Sequence, residues 1–406
     1  LHFRKIERAT KLFDTKYAGL KKKSFIIALI IIISSTYLSI QKYFLVNHEE
    51  YLKPFLVDSA SLKSTIIAPN LETTIERDKN VIFCSSAQET SRKIEKELIG
   101  DARIHEKFQN LPEFLKSFPD LPSRMPESDY LALAGTVSGG ITGEIDMELR
   151  KKFNKSQFIN ELSKTEDILI YTYFQKLLSY DFQFNRRATE FSFGQNSRTT
   201  VKSYGISASH KKNGLVYNHL ELRYHNTLKN EKQPEEDHHP QRGFIVKLKT
   251  ISDTDEIYVS TVEPENTMKK TFEKILFMNR SMDTPRNAGL SFAGEGLYRK
   301  NPDEDKYYQT EFSRLNIPMI WFDATNKYVR PNEPVFIQRI NFCLNEKYDT
   351  IAFENSLNNG SSQSDSILIV DRPFVIFIKD MNSNTPYFMA YIGNDELLFK
   401  SDVMKK

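Results

Sequence analysis

An irregular mixture of strand and helix signals predicts an α+β fold for this chain, and three features carry that expectation. Ile168–Leu178 is an almost continuous run of apolar, β-branched and aromatic residues, as a strand covered on both faces requires. The C-terminal region holds three short apolar runs, Ser366–Val370, Phe374–Lys379 and Tyr387–Ile392, separated by turn formers such as Asn382 and Asn384. Helical patterns at Ser86–Leu98 and Glu263–Phe277 fall among the strands without the regular βαβ rhythm of a doubly wound sheet.

Taken from the N-terminus, Lys21, Lys22 and Lys23 precede residues 24–40, whose stretch from Phe25 to Ile33 is almost purely apolar. It is short for a membrane span and slightly long for the apolar part of a signal peptide. An uncleaved signal anchor and a cleaved signal therefore both stay open, and the lack of a clean small-x-small cleavage site favours the anchor. A buried core helix would be apolar on one face rather than all round. Lysines on the near side place everything after Lys42 outside the cytosol or in a lumen. The expected address is the secretory pathway, extracellular or lumenal, with membrane attachment through 24–40. Sequons at Asn154, Asn279 and Asn359 suit that address as glycosylation candidates. Segment 1–46 is thus read as targeting, 47–79 as a connector with a possible first helix, and 80–398 as the folded domain.

Further strands are expected at Thr189–Phe193, Leu220–Tyr224, Gly243–Leu248, Ile257–Val262 and Val335–Leu344. Cys84 and Cys343 each sit in an apolar run and are too few for a disulfide framework, so buried free thiols are expected. With 56 basic and 53 acidic residues spread along 406, the net charge of +3 lacks the concentration that nucleic-acid binding needs. His238 and His239 beside Glu235, Glu236 and Asp237 have metal-ligand chemistry, but the run Lys229–Arg242 carries both charge signs and reads as a solvated loop, with no metal site. Gly139, Gly140 and Gly143 lack the Lys-Ser/Thr of a phosphate loop, and no Gly-x-Ser-x-Gly elbow occurs. No enzyme activity and no cofactor are expected. Trp321 reads as a core residue in an apolar turn. Asn355–Ser366 is dominated by Asn, Ser and Gly between apolar runs and marks an exposed loop.

Leu368–Ile378, LIVDRPFVIFI, closely resembles the signature of the serpin family, carried here by Asp371, Arg372, Pro373 and Phe374. Physically, Pro373 stops a strand and Phe374 anchors the next one. Phe388-Met389 follows at the serpin spacing, with Ala390 in place of the family's glycine. Val335–Asp349 is similar to the strand entering the serpin hinge, and Asp167–Phe184 to the central strand of serpin sheet A. Asn80–Phe83 resembles the short strand that opens the fold, Ile104–Leu111 the helix C–D region, and Tyr308–Phe322 the late helix and turn before the hinge strand. This resemblance implies a large mixed sheet A, two further sheets, surrounding helices and an exposed reactive-centre loop over 346–367, in a monomer. Two departures stand out. The interval from Phe83 to Ile168 is shorter than in a typical serpin, and the buried apolar helix expected after Asn80–Phe83 is not recognisable.

By the same resemblance, an inhibitory member traps a serine or cysteine protease. Its cleaved loop inserts into sheet A and drags the enzyme along. The hinge here is Glu346, Lys347, Tyr348, Asp349, Thr350, Ile351, Ala352 and Phe353, and Tyr348 stands where glycine is expected. By the family's alternation Asp349, Ile351, Phe353 and Asn355 face inward on insertion. Burying Asp349 unpaired costs several kcal/mol, and Phe353 in an alanine-sized place costs about 1–3 kcal/mol more. Loop length puts the cleavable bond at Ser362-Gln363, without an adjacent Arg or Lys. The family implies a serine-type endopeptidase inhibitor, the hinge argues for a non-inhibitory role, and a genuine inhibitor cut at Ser362-Gln363 is the alternative.

Overall fold

The computed structural model describes residues 55–58, 61–98, 124–155, 168–178, 180, 185–194, 199–206, 220–225, 243–248, 250–281, 290–292, 297–300, 307–309, 312–329, 334–345 and 366–400. All belong to one unit, Phe55–Lys406. Its first part runs β1 (Phe55–Asp58), β2 (Thr65–Ala68), β3 (Asn80–Cys84), α1 (Ser86–Leu98), a 3-10 turn at Glu127–Asp129, β4 (Tyr130–Thr136) and α2 (Ile141–Phe153). Then come β5 (Ile168–Leu177), β6 (Asn185–Phe193), β7 (Thr199–Ile206), β8 (Leu220–His225), β9 (Phe244–Leu248), β10 (Asp255–Ser260) and α3 (Met268–Ser281). The last part holds β11 (Leu290–Phe292), β12 (Leu297–Lys300), β13 (Tyr307–Gln309), β14 (Phe312–Pro318) and β15 (Ile320–Tyr328). It ends with β16 (Val335–Leu344), β17 (Ser366–Ile369), β18 (Phe374–Asp380) and β19 (Phe388–Ile392).

These strands form a five-stranded sheet in the order β1-β15-β16-β5-β4, a seven-stranded sheet β2-β3-β19-β18-β10-β9-β8, a four-stranded sheet β17-β14-β7-β6 and a small meander β11-β12-β13. The five-stranded sheet is mixed, because β1–β15 and β16–β5 are parallel while β15–β16 and β4–β5 are antiparallel. The α+β class holds: among the described residues, three mixed sheets and a small antiparallel meander accompany three α-helices.

The mixed sheet lies against the seven-stranded one through aromatic contacts. Phe174 on β5 and Phe342 on β16 both stack on Phe388 of β19, with ring centroids 5.6 and 4.3 Å apart. Every residue of β3 and β19 is buried, as near-continuous apolar strands should be when covered on both faces. On the opposite face of the mixed sheet, α2 sets Ile141, Ile145 and Leu149 against Leu169, Tyr171 and Tyr173 of β5 and Val335 and Ile337 of β16. Their i, i+4, i+8 spacing is the apolar stripe that fits a helix to a sheet.

Several expectations need correction. The stretch 47–79 holds β1 and β2 among its described residues, not a first helix. Its TIIA run pairs with β3 in parallel and joins the buried sheet. A helix does follow Asn80–Phe83, namely α1. It buries Ser86, Ala87, Gln88, Thr90 and Ser91, so small polar residues fill the place where large apolar ones were sought, and Thr90 bonds back to the Ser86 carbonyl at 2.8 Å. Apart from Met319, the described residues of Tyr308–Phe322 are strand rather than helix, and Trp321 lies in β15 rather than in a turn. The helix expected from Glu263 starts at Met268, where Thr267 accepts the Lys270 N–H. Ile104–Leu111 and residues 24–40 lie outside the described residues, among which no helix is long and apolar enough to cross a membrane.

Gly205 marks a place where two backbones meet closely. A Cβ there would sit 1.7 Å from the Leu315 carbonyl oxygen on β14. Gly205→Ala is expected to lose at least about 2 kcal/mol of stability by prising β7 from β14, read as a lower urea midpoint.

Candidate functional site

The candidate site is the seam between β16 and β5. β16 runs parallel to β5 in an unbroken register from Val335 opposite Leu169 to Cys343 opposite Leu177. The chain leaves β16 at Leu344. A segment folding back alongside would be antiparallel to β16 and, because β5 runs the same way, antiparallel to β5 as well. Parallel pairing is slightly the weaker per residue, so exchanging one parallel ladder for two antiparallel ones favours an opened seam as far as the backbone is concerned.

Side chains on the two faces of this seam differ. On the face toward the seven-stranded sheet, Phe336, Ile340, Phe342 and Leu344 are buried apolar neighbours along β16. Gln338 interrupts them, donating through Nε2 to Ser86 Oγ at 3.1 Å and to the Cys84 carbonyl at 3.3 Å. Opposite Gln338, the Thr172 hydroxyl is buried without a partner. Cys84 and Cys343 are buried thiols outside any disulfide, as expected, and burial pushes the Cys84 thiol up to about 12, which leaves it inert as a nucleophile.

Toward α2 the seam carries a charged cluster. Asp323 on β15 is fully buried and accepts two hydrogen bonds from Arg339, at 2.6 Å from Nε and 2.7 Å from Nη2. Asn341 donates to Asp323 Oδ2 at 3.2 Å and to the Tyr173 hydroxyl at 3.3 Å. The Arg339 guanidinium also lies 5.4 Å from the centre of the Tyr173 ring. Burial opposes the charge on Arg339, yet the contact with Asp323 outweighs it and raises the guanidinium pKa further above its ordinary value. Burial and then the Asp323 charge raise the Tyr173 phenol. The Asn341–Tyr173 bond and the Arg339–Tyr173 contact cross the seam. Together they hold it by roughly 1–3 kcal/mol.

A second buried cluster fastens the far end of β5. Lys176 bonds both Asp129 and Asp255, the latter at 2.6 Å, and Tyr387 donates to Asp255 Oδ1 at 2.8 Å. Burial first, then the Asp255 charge, raises the Tyr387 phenol. Because Asp255 lies on β10 and Tyr387 just before β19, this cluster ties β5 to the seven-stranded sheet.

The signature residues sit where the chain changes sheets, between β17 and β18. Pro373 immediately precedes β18, four residues after β17 ends, and Phe374 is buried edge-on against Phe193, with ring centroids 5.9 Å apart. Asp371 pairs with Arg372 at 3.0 Å, and its carbonyl accepts the Gly194 N–H at 3.0 Å. The hinge residues Glu346 to Phe353, the bond Ser362-Gln363, Asn359 and the His238-His239 run lie outside the described residues. Sequence reading passed over Asp323, Arg339 and Lys176. Their signal was available, since each is a lone charge inside an apolar strand (WFDAT, FIQRINF, YFQKL), where only pairing makes it tolerable.

No protein-family model matches the sequence, and no curated protein matches it. The chain is similar to the solved structure of thyroxine-binding globulin in complex with thyroxine, at 10% identity and a TM-score of 0.40, over 78% of this chain and 93% of that one. It is similar to a tumour-suppressing serpin at 10% identity and a TM-score of 0.40, over 78% and 92%. It is also similar to maspin at 11% identity and a TM-score of 0.41, over 78% and 92%.

The buried pair gives a mutational test. Asp323→Asn or Arg339→Met alone leaves a partner uncompensated and is expected to cost about 3–5 kcal/mol, whereas the double variant Asp323→Leu with Arg339→Met should be markedly milder than either. Tyr173→Phe should lose only about 1 kcal/mol. Chemical denaturation of the four variants checks all three expectations.

Proposed function

We propose that this chain is a serpin-family protein of the secretory pathway that displays its loop without trapping a protease. The carrying observation is the apolar inner face of β16 beside the hinge. A turn at 345–348 would set Asp349 opposite Leu344, Ile351 opposite Phe342, Phe353 opposite Ile340 and Asn355 opposite Gln338. Leu344, Phe342 and Ile340 are all buried. A carboxylate placed against Leu344 faces no cation on that strand, and the Phe353 ring competes with the Phe342–Phe388 stack for space. Insertion starts at the hinge end, so these mismatches are met first.

The farther positions support the second reading, a genuine inhibitor cut at Ser362-Gln363. Asn355 would meet Gln338 and the unpartnered Thr172 hydroxyl, and Glu354, on the other face, would fall opposite Arg339. Those polar matches reward insertion only after the unfavourable entry has been crossed. Trapping requires a fast entry, so the order of the contacts favours the non-inhibitory role. The secretory address is supported by the lysine-flanked apolar segment 24–40 and the sequons.

Cleaving the loop once and comparing melting temperatures tests the proposal. The expected result is little change, together with no SDS-resistant complex across a panel of serine and cysteine proteases. A large rise in melting temperature, or a covalent complex, would establish the inhibitor instead. Asp349→Thr combined with Phe353→Ala should restore a rise after cleavage, since it removes the two entry mismatches.

A further inference from the structure

From the two sequons that fall within the described residues, we infer that Asn154 carries an N-linked glycan in the folded protein and that Asn279 does not. Asn154 closes α2 with φ 51° and ψ 39°, a left-handed conformation that asparagine adopts more readily than most residues. The helix end is completed by backbone groups: the Asn154 N–H donates to the Arg150 carbonyl at 3.1 Å and the Lys155 N–H to the Leu149 carbonyl at 3.3 Å. Asn154 itself is exposed, so its side-chain amide projects into water, where a bulky hydrophilic sugar has to go.

This end of α2 is also held in place by its neighbours. Lys152 donates to the carbonyl oxygens of Glu127 and Tyr130, and Phe153 packs edge-on against Tyr173 with ring centroids 4.8 Å apart. A sugar at Asn154 thus hangs from a fixed point and displaces none of these contacts. Asn279 offers the opposite surroundings. It lies inside α3, half-buried, with its Oδ1 shielded and without a partner. That helix buries Met268, Phe272 and Ile275 in the core, with Leu276 and Met278 packed beside them. Asn279 continues the helical stripe of Met268, Phe272 and Ile275 that α3 packs into the core, so a sugar there crowds that packed face and disfavours the folded state.

The inference rests on the proposed secretory address, and the test separates the two. The full chain is expressed in secretion-competent eukaryotic cells, and the folded protein is measured by endoglycosidase digestion and intact mass. Ser156→Ala removes the first sequon while keeping Asn154 in its left-handed position, Ser281→Ala removes the second, and Ser361→Ala removes the one in the loop. The expected outcome is that Ser156→Ala loses one glycan and Ser281→Ala loses none. A glycan lost only in Ser361→Ala, or lost in Ser281→Ala, would overturn the assignment while leaving the secretory address intact. Absence of any glycan would overturn both.

Discussion

The parallel contact between β5 and β16 is the constraint around which this structure is arranged. It lies in the middle of the mixed sheet, with β15 and β1 on one side and β4 on the other. α2 covers it on one face and the aromatic stack on Phe388 covers it on the other. The loop leaves from the end of one of its two strands. Whether that loop is an actuator or a display depends on how readily the two strands part and on what the newcomer would find between them.

The charged groups near the seam act unequally. Asp323 and Arg339 join β15 to β16 and move with the hinge strand, so they brace it without closing the seam. Lys176, with Asp129, Asp255 and Tyr387, fixes β5 to the sheet beneath it. β16 is tied to the same sheet through Gln338 and the Phe342–Phe388 stack, so opening would strain both sides of the seam. The side-chain links that span the gap are modest, and the proposed obstacle is chemical: at its end near Leu344 the inner face of β16 is apolar, and the following segment would offer it a carboxylate first.

Much of this architecture was legible in the sequence. Val335–Leu344 and Ser86–Leu98 fall where their patterns placed them, and Ile168–Leu178 ends one residue early, because long apolar or amphipathic periodicities survive tertiary context. Phe374 and its neighbours lie where the chain passes from the four-stranded to the seven-stranded sheet, a change that no local pattern had signalled. Other features were hidden for physical reasons. β1 and β2 are four residues each and carry too little pattern to separate from a connector. The first turns of α1 are polar by composition yet buried, since a helix of small residues can approach a sheet closely, so a search for large apolar residues misses it. α2 follows two glycines that drew attention only as a failed phosphate loop, although Ile141, Ile145 and Leu149 spell out its buried stripe. The partners of Asp323 and Lys176 depend on register and sheet stacking, which no local pattern encodes.

Amide hydrogen exchange across the seam and the hinge tests the central claim most directly. If the loop is displayed and does not enter, amides 349–355 exchange rapidly both before and after the loop is cut, and protection of 169–177 and 335–343 stays as it was. Slow exchange acquired by 349–355 after cutting would show a new strand lodged between β5 and β16, and would contradict the account.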